Sequence, residues 1–223
     1  MQKDTKTLAY VLRRTNYGEA DRILNLITPS GKISAIAKGA RKAKSKLAGG
    51  IEMFSLIEIN IHSGKGELGV VTSARMLKYY NNILADYERM ELASWILKRV
   101  SILAESSDNP DYYKIVDQAL SELNAGTNVA FIKSWAVLNI RKAMGEEVNV
   151  FRDTDGEKLI QSECYSWDGL EMAFSKNPSG EYAADEIKML RLMLSTDLNI
   201  AKRVKGYEEM LPKILAVAKT LDR

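Results

Sequence analysis

Phe54-Ser55-Leu56-Ile57-Glu58-Ile59-Asn60-Ile61-His62 sets Leu56, Glu58 and Asn60 against Ile57, Ile59 and Ile61. Successive side chains of a strand point to opposite faces, so this alternation describes a strand with one apolar and one polar face. Working outward, Ser63-Gly64-Lys65-Gly66 reads as a flexible turn, and residues 68–72 as a further strand. Upstream, Asp21–Thr28 sets Leu24 and Leu26 against Ile23 and Ile27, and Pro29-Ser30-Gly31-Lys32 carries turn chemistry ahead of a strand at 33–37. Residues 7–14 are β-rich and are followed by a polar turn at Asn16-Tyr17-Gly18-Glu19.

Five short strands ahead of residue 76, with no long helix among them, fit a small closed barrel of the OB type. Beyond Tyr80 the apolar period changes to three or four. Ile83, Tyr87, Met90, Leu97 and Val100 predict one helix of about 22 residues. Asn109-Pro110 opens a second, with Ile115, Val116, Ala119, Leu120 and Leu123 inside. Thr127 or Asn128 opens a third, carrying Val129, Ile132, Ala136, Ile140 and Ala143 and closed by Gly145. Residues 146–182 read as irregular, with a turn at Asp153-Thr154-Asp155-Gly156, and two more helices follow near 183–199 and 207–221. The expectation is an α+β chain: a five-stranded OB-fold barrel over residues 1–80, then a mostly α-helical domain over 81–223. A hydrophobic share of 46% suffices for packed cores in both.

Charge is divided unevenly. Residues 1–80 hold 14 basic and 6 acidic residues, whereas residues 81–223 hold 18 and 23. The first part therefore suits a polyanion. Its focus is Lys38-Gly39-Ala40-Arg41-Lys42-Ala43-Lys44-Ser45-Lys46, five cations in nine residues directly after a strand. Small residues there let the backbone approach phosphates. Lys38, Arg41, Lys42, Lys44 and Lys46 are the candidate phosphate ligands, with Arg22 and Lys32 extending the track and Tyr17 and Phe54 as candidate stacking surfaces. In the helical part, Lys133 beside Trp135, Arg141-Lys142, and Lys188 with Arg191 are either solvated faces or the rim of a groove for an acidic, amphipathic peptide.

Catalysis is poorly supplied. His62 is the only histidine and Cys164 the only cysteine, which excludes a multi-histidine or multi-cysteine metal site and leaves little for general base work. Asp153-Thr154-Asp155-Gly156 starts like a calcium loop but lacks the remaining ligands. There is no P-loop and no dinucleotide fingerprint, so a non-enzyme with no metal and no cofactor is expected. The chain shows no signal peptide and no membrane span, which predicts a soluble protein of the cytoplasm.

Tyr17-Gly18-Glu19-Ala20-Asp21-Arg22, Thr28, Gly31, Ala37-Lys38-Gly39-Ala40-Arg41-Lys42, Ser45 and Met53-Phe54 stand in an order that resembles the N-terminal part of the bacterial RecO recombination mediators. The resemblance covers about residues 7–80, and residues 136–150 are similar to the helix-Gly-x-x-Val stretch ahead of that family's insert. It implies an OB-fold joined to a helical domain, binding of single- and double-stranded DNA, and annealing of complementary strands. It also implies work with RecR and with the acidic C-terminal tail of the single-stranded DNA-binding protein SSB, with RecF and RecA reached indirectly. Tyr17, Glu19 and Asp21 would shape the first hairpin. Many members hold zinc with four cysteines in the insert. Residues 146–182 contain only Cys164, so packing through Phe151, Tyr165, Trp167, Leu170 and Phe174 is expected instead. An OB-fold RNA-binding protein and a non-catalytic adaptor for an acidic protein are the alternatives.

Overall fold

The computed structural model describes residues 3–63, 68–195 and 197–222, so the expected turn at Gly64-Lys65-Gly66 lies outside the described residues. The chain packs as two compact units, Met1–Ala125 and Gly126–Arg223.

In the first unit, β1 (Lys3–Tyr17), β2 (Asp21–Thr28), β3 (Gly31–Ala37), β4 (Ser55–Ser63) and β5 (Gly69–Tyr79) close into a barrel of order β1-β2-β3-β5-β4. This is the expected OB-fold. At 15 residues β1 is long enough to serve two neighbours. Its first half pairs antiparallel with β4, from Lys3↔Ser63 to Tyr10↔Leu56, and its second half pairs with β2, ending at Tyr17↔Asp21. Closure comes from a parallel contact of β3 with β5 at Ala35↔Gly69 and Ile36↔Val70. The inward row of each strand fills the barrel: Ala9, Val11, Leu24, Leu26, Ala35, Ile57, Ile59, Ile61 and Val71 are all buried.

Two strands outrun their sequence signal. Asn16 and Tyr17 belong to β1 rather than to the turn, because they pair with Arg22 and Asp21. β5 continues to Tyr79 instead of stopping near 72, because residues 75–79 pair with Ser55, Leu56, Ile57 and Glu58 of β4.

Three helices pack in this same unit: a single turn α1 (Asn81–Leu84), α2 (Tyr87–Leu103) and α3 (Asp111–Ala125). The single long helix expected here is broken at Asp86, whose carboxylate accepts from the Arg89 backbone N–H at 3.1 Å and caps α2. Tyr87 is consequently 72% exposed, and the buried face is Leu92, Ala93, Ile96, Leu97 and Val100. Asn109 opens α3 as expected, accepting from the Asp111 N–H at 2.9 Å. The period thus changes at residue 80, while the packing divides at Ala125/Gly126.

A buried polar knot ties α3 to the barrel. The Tyr10 hydroxyl donates to Asp117 and lies 3.0 Å from the Tyr80 hydroxyl. Burial first, and then the Asp117 hydrogen bond, push the Tyr10 hydroxyl pKa far above its ordinary value. Above pH 10 the unfolded chain ionises this tyrosine while the folded chain keeps its proton. Tyr10→Phe should therefore cost about 1–3 kcal/mol at pH 7, because Asp117 loses its donor. It should also flatten the stability loss that the parent shows as pH rises beyond 10. Urea unfolding at pH 7 and pH 10.5 measures both, and equal curves for parent and variant would reject the knot.

The second unit consists of α4 (Val129–Ala143), a hairpin of β6 (Tyr165–Asp168) and β7 (Ala173–Lys176), α5 (Ala184–Ser195), the short α6 (Leu198–Ala201) and α7 (Tyr207–Leu221). Asn128 caps α4 through the Phe131 N–H at 3.2 Å, and Gly145 follows it at φ 81°. The insert is held by rings. Phe174 is fully buried, with its centroid 5.2 Å from Trp167 and 5.3 Å from Tyr182. Tyr165 is also buried, and its hydroxyl accepts from the Ile160 N–H at 2.7 Å. Asp153 accepts from the Asp155 and Glu157 N–H groups and so shapes the expected turn. Phe151 and Leu170, expected inside, are 64% and 89% exposed. Their stretches are bound through backbone to Asn149 and Asp168 side chains, which turns the two residues outward.

Candidate nucleic-acid interface

The basic stretch leaves β3 at Ala37 and forms an ordered loop stapled to the β1–β2 turn. Gly39, at φ 64°, takes a left-handed turn that favours glycine, and its N–H donates to the Asp21 carboxylate at 2.7 Å. The Arg41 N–H donates to the Ala20 carbonyl at 2.8 Å, and its guanidinium to the Gly18 carbonyl at 3.1 Å. Ala40 is buried in the barrel core, with Leu47 and Ile51 packed at the loop's far end. The loop returns through a 3-10 turn at Ala48–Gly50. A Cβ on Gly50 would sit 2.3 Å from the Ala74 carbonyl oxygen, so only glycine permits this approach to β5.

With Ala40 turned into the core and the backbone stapled to the turn, the charges face out. Lys38, Arg41, Lys42, Lys44 and Lys46 are all exposed. Among the described residues none of the five forms an ion pair. Three other barrel cations are engaged: Lys6 and Arg75 share Glu58 at 3.1 and 3.4 Å, and Arg14 holds Glu52 at 2.7 Å. Lys6 first, then Arg75, holds the Glu58 carboxyl below the usual range.

Two further expected members part company. Arg22 stands at the loop end of β2, opposite Ala37 and next to the staple residue Asp21. Lys32 lies at the other end of β3, roughly 20 Å along the strand. It is only 13% exposed and bonded to Glu105 at 2.5 Å, holding that carboxyl below its ordinary pKa, so it does not extend the track. Of the two aromatic candidates, Tyr17 is 55% exposed beside the staple. Phe54 is buried at φ 55° where the loop enters β4, and its carbonyl accepts from the Tyr80 N–H, so it offers no stacking surface. Asp21 and Ala40 organise the loop, and the sequence signal for them is their place inside the Asp21-Arg22 and Gly39-Ala40-Arg41 runs rather than any charge pattern.

The helical cations are mostly structural. Arg141 donates to the Leu221 carbonyl at the end of α7 and pairs with Glu146. Lys142 donates to the Leu194 carbonyl near the end of α5 at 2.8 Å, and Lys133 pairs with Asp222 at 3.1 Å. Arg141 and Lys142 thereby satisfy carbonyls at the negative ends of α7 and α5. Lys188 and Arg191 differ, because with Leu159, Ile160, Ala184 and Ile187 they line a depression of about 240 Å³. Arg191 is held in place by the Val150 carbonyl at 2.6 Å and lies 5.1 Å from the Phe151 ring centroid.

A closed five-stranded barrel carrying an organised cationic loop, followed by helices, defines an OB-fold protein with a basic rim. Comparison with known proteins narrows this. The family described as "Recombination protein O N terminal" matches residues 1–80. A DNA repair protein RecO of Dehalococcoides mccartyi (strain ATCC BAA-2266 / KCTC 15142 / 195) is 32% identical over 219 residues, 95% of this chain and 86% of that protein. A DNA repair protein RecO of Roseiflexus sp. (strain RS-1) is 32% identical over 141 residues, 63% of this chain and 50% of its own length. The RecO of Bifidobacterium longum (strain DJO10A) is 37% identical over 117 residues, 51% of this chain and 48% of its own length. The chain belongs to the RecO family of DNA repair proteins. Among the described residues, no helix is long and apolar enough to cross a membrane.

Proposed function

We propose that this chain is a non-enzymatic recombination mediator that grips DNA by its phosphates, anneals complementary strands and, with RecR, helps RecA load on SSB-coated DNA. The observation that carries the reading is the stapled loop whose five exposed cations form no ion pair among the described residues. Such a loop neutralises phosphates without first giving up an internal partner, and it leaves base edges free to pair. Annealing then needs screened charge and accessible bases, and no catalytic group. The depression lined by Ile160, Ile187, Lys188 and Arg191 suits the acidic tail of SSB, with aliphatic floor and cationic rim. The remaining candidates are engaged within the fold, Arg141 and Lys142 by helix-end carbonyls and Lys133 by Asp222.

The test is annealing of two complementary SSB-coated oligonucleotides by the parent and by a Lys38/Arg41/Lys42 triple alanine variant. Annealing by the parent that falls at least tenfold in the variant is the expected result. Equal rates would reject the loop, and no annealing by the parent would reject the mediator reading.

A further inference from the structure

Leu170 is 89% exposed at the tip of the β6–β7 hairpin, yet the tip beneath it is firmly held. The Asp168 carboxylate accepts from the Leu170 N–H at 2.9 Å and from the Glu171 N–H at 3.1 Å. The Trp167 indole donates to the Thr220 hydroxyl at 2.9 Å, and a Cβ on Gly169 would lie 3.4 Å from Thr220. The hairpin thus rests on the last turn of α7 and holds a leucine out from a fixed base. Glu171 beside it is exposed and forms no ion pair among the described residues.

Near the start of α7 lies a depression of about 270 Å³. Met189, Leu192, Val204 and Met210 give it an apolar lining, and the exposed Lys188 and Lys205 border it. Lys188 holds Asp185 at 3.4 Å, whereas Lys205 forms no ion pair among the described residues. At 1.5 Å of rise per residue, Met210 and Thr220 are about 15 Å apart along the helix. Along that length the outer stripe of α7 reads Glu209, Pro212, Ala216 and Lys219, all exposed. The stripe is negative at its start, positive at its end and short-chained between. Among the described residues neither Glu209 nor Lys219 forms an ion pair. Met210 follows Glu209 and Thr220 follows Lys219, so the depression and the hairpin flank the stripe on the same side.

We propose that this face is a two-fold interface between two copies of the chain, with the α7 helices antiparallel and each Leu170 seated in the other copy's depression. A two-fold axis across the middle of α7 turns the helix end for end and keeps each flank on its own side. Each hairpin tip then meets a depression and each Glu209 meets a Lys219, while Pro212 and Ala216 let the two helices approach closely. Glu171 arrives beside Lys205, so the charges agree at the tip as well as along the stripe. Met189 and Met210 are side chains that adapt their shape to an entering leucine. The contact is isologous and closed, so assembly stops at two copies. A pair carries two cationic loops, one for each strand to be annealed; that consequence rests on the loop reading, and the pairing itself does not.

Sedimentation equilibrium of the full chain between about 1 and 100 μM tests the interface. It compares the parent with Leu170→Glu, Glu209→Lys, Lys219→Glu and the Glu209→Lys/Lys219→Glu double variant. The parent should dimerise in this range. Leu170→Glu should weaken the dimer at least about tenfold, because it removes a buried leucine and sets a carboxylate against an apolar lining. Each single reversal sets like charges opposite one another and should weaken the dimer about threefold, and the double reversal should restore it. All three positions are exposed, so urea unfolding should match the parent throughout. A parent still monomeric at about 100 μM would overturn the proposal. So would a dimer that Leu170→Glu leaves intact, or a double reversal that dimerises no better than the single ones. The readout contains no DNA, so its failure leaves the loop reading to its own test.

Discussion

Phe174→Ala is expected to destabilise the second unit by about 3–5 kcal/mol, the range for truncating a fully buried phenylalanine. Phe174 is the ring on which the insert converges, with Trp167 on one side and Tyr182 on the other. Its carbonyl also accepts from the Thr154 N–H at 3.0 Å, which brings the Asp153 turn onto the same centre. Close packing continues beneath it, where a Cβ on Gly180 would lie 2.3 Å from the Tyr165 carbonyl. An alanine would leave a void bounded by two rigid rings and a backbone that cannot collapse inward. The RecO resemblance implies a four-cysteine zinc site in many relatives at this point of the chain. Here Cys164 is the only cysteine, so no such site can form, and the ring contacts hold the insert. Urea unfolding followed by tryptophan emission should show the loss, with no recovery on adding zinc. A change below about 1 kcal/mol would mean that the insert is held elsewhere.

The sequence made the barrel legible because its inward rows are almost purely aliphatic. Ile57, Ile59 and Ile61 announce a buried face without help from context. What stayed hidden was decided by partners distant in sequence. β5 runs past residue 72 because β4 offers it pairing, and Arg75 to Tyr79 show no alternation that would announce this. Tyr87 fits a helical stripe on spacing alone, but the Asp86 cap starts the helix there and leaves the ring outside. Phe54 reads as a free aromatic until the loop's return path is known. The candidate site divides in the same way. A run of cations is visible in one dimension, and all five of its members are exposed. Isolated cations are not legible: Lys32, Lys133, Arg141 and Lys142 look like surface charge, and only the fold supplies Glu105, Asp222 and two helix ends to occupy them.

Removing Lys38, Arg41 and Lys42 together should weaken single-strand binding by about 100-fold at 0.1 M salt. Each phosphate neutralised on a single strand contributes about 0.7 to the slope of log affinity against log salt, so three lost cations lower its magnitude by about 2. With the same intercept at 1 M salt, a slope difference of 2 becomes a factor of about 100 one decade lower. The estimate holds because these side chains bring no competing internal cost. Lys38 and Lys42 give up no ion pair, and Arg41 gives up one exposed hydrogen bond to Gly18, while Asp21 still holds the loop through the Gly39 backbone. Stability should therefore move by less than about 1 kcal/mol, and the loss reads on DNA rather than on the fold. Lys6→Ala provides the contrast. Lys6 already shares Glu58 with Arg75, so its removal should change affinity far less than a third of the triple effect. Fluorescence anisotropy between 50 and 400 mM salt decides the matter. A triple variant whose slope equals the parent's would place the phosphate contacts elsewhere, whereas a slope reduced by about 2 with parent-like unfolding would assign them to the loop.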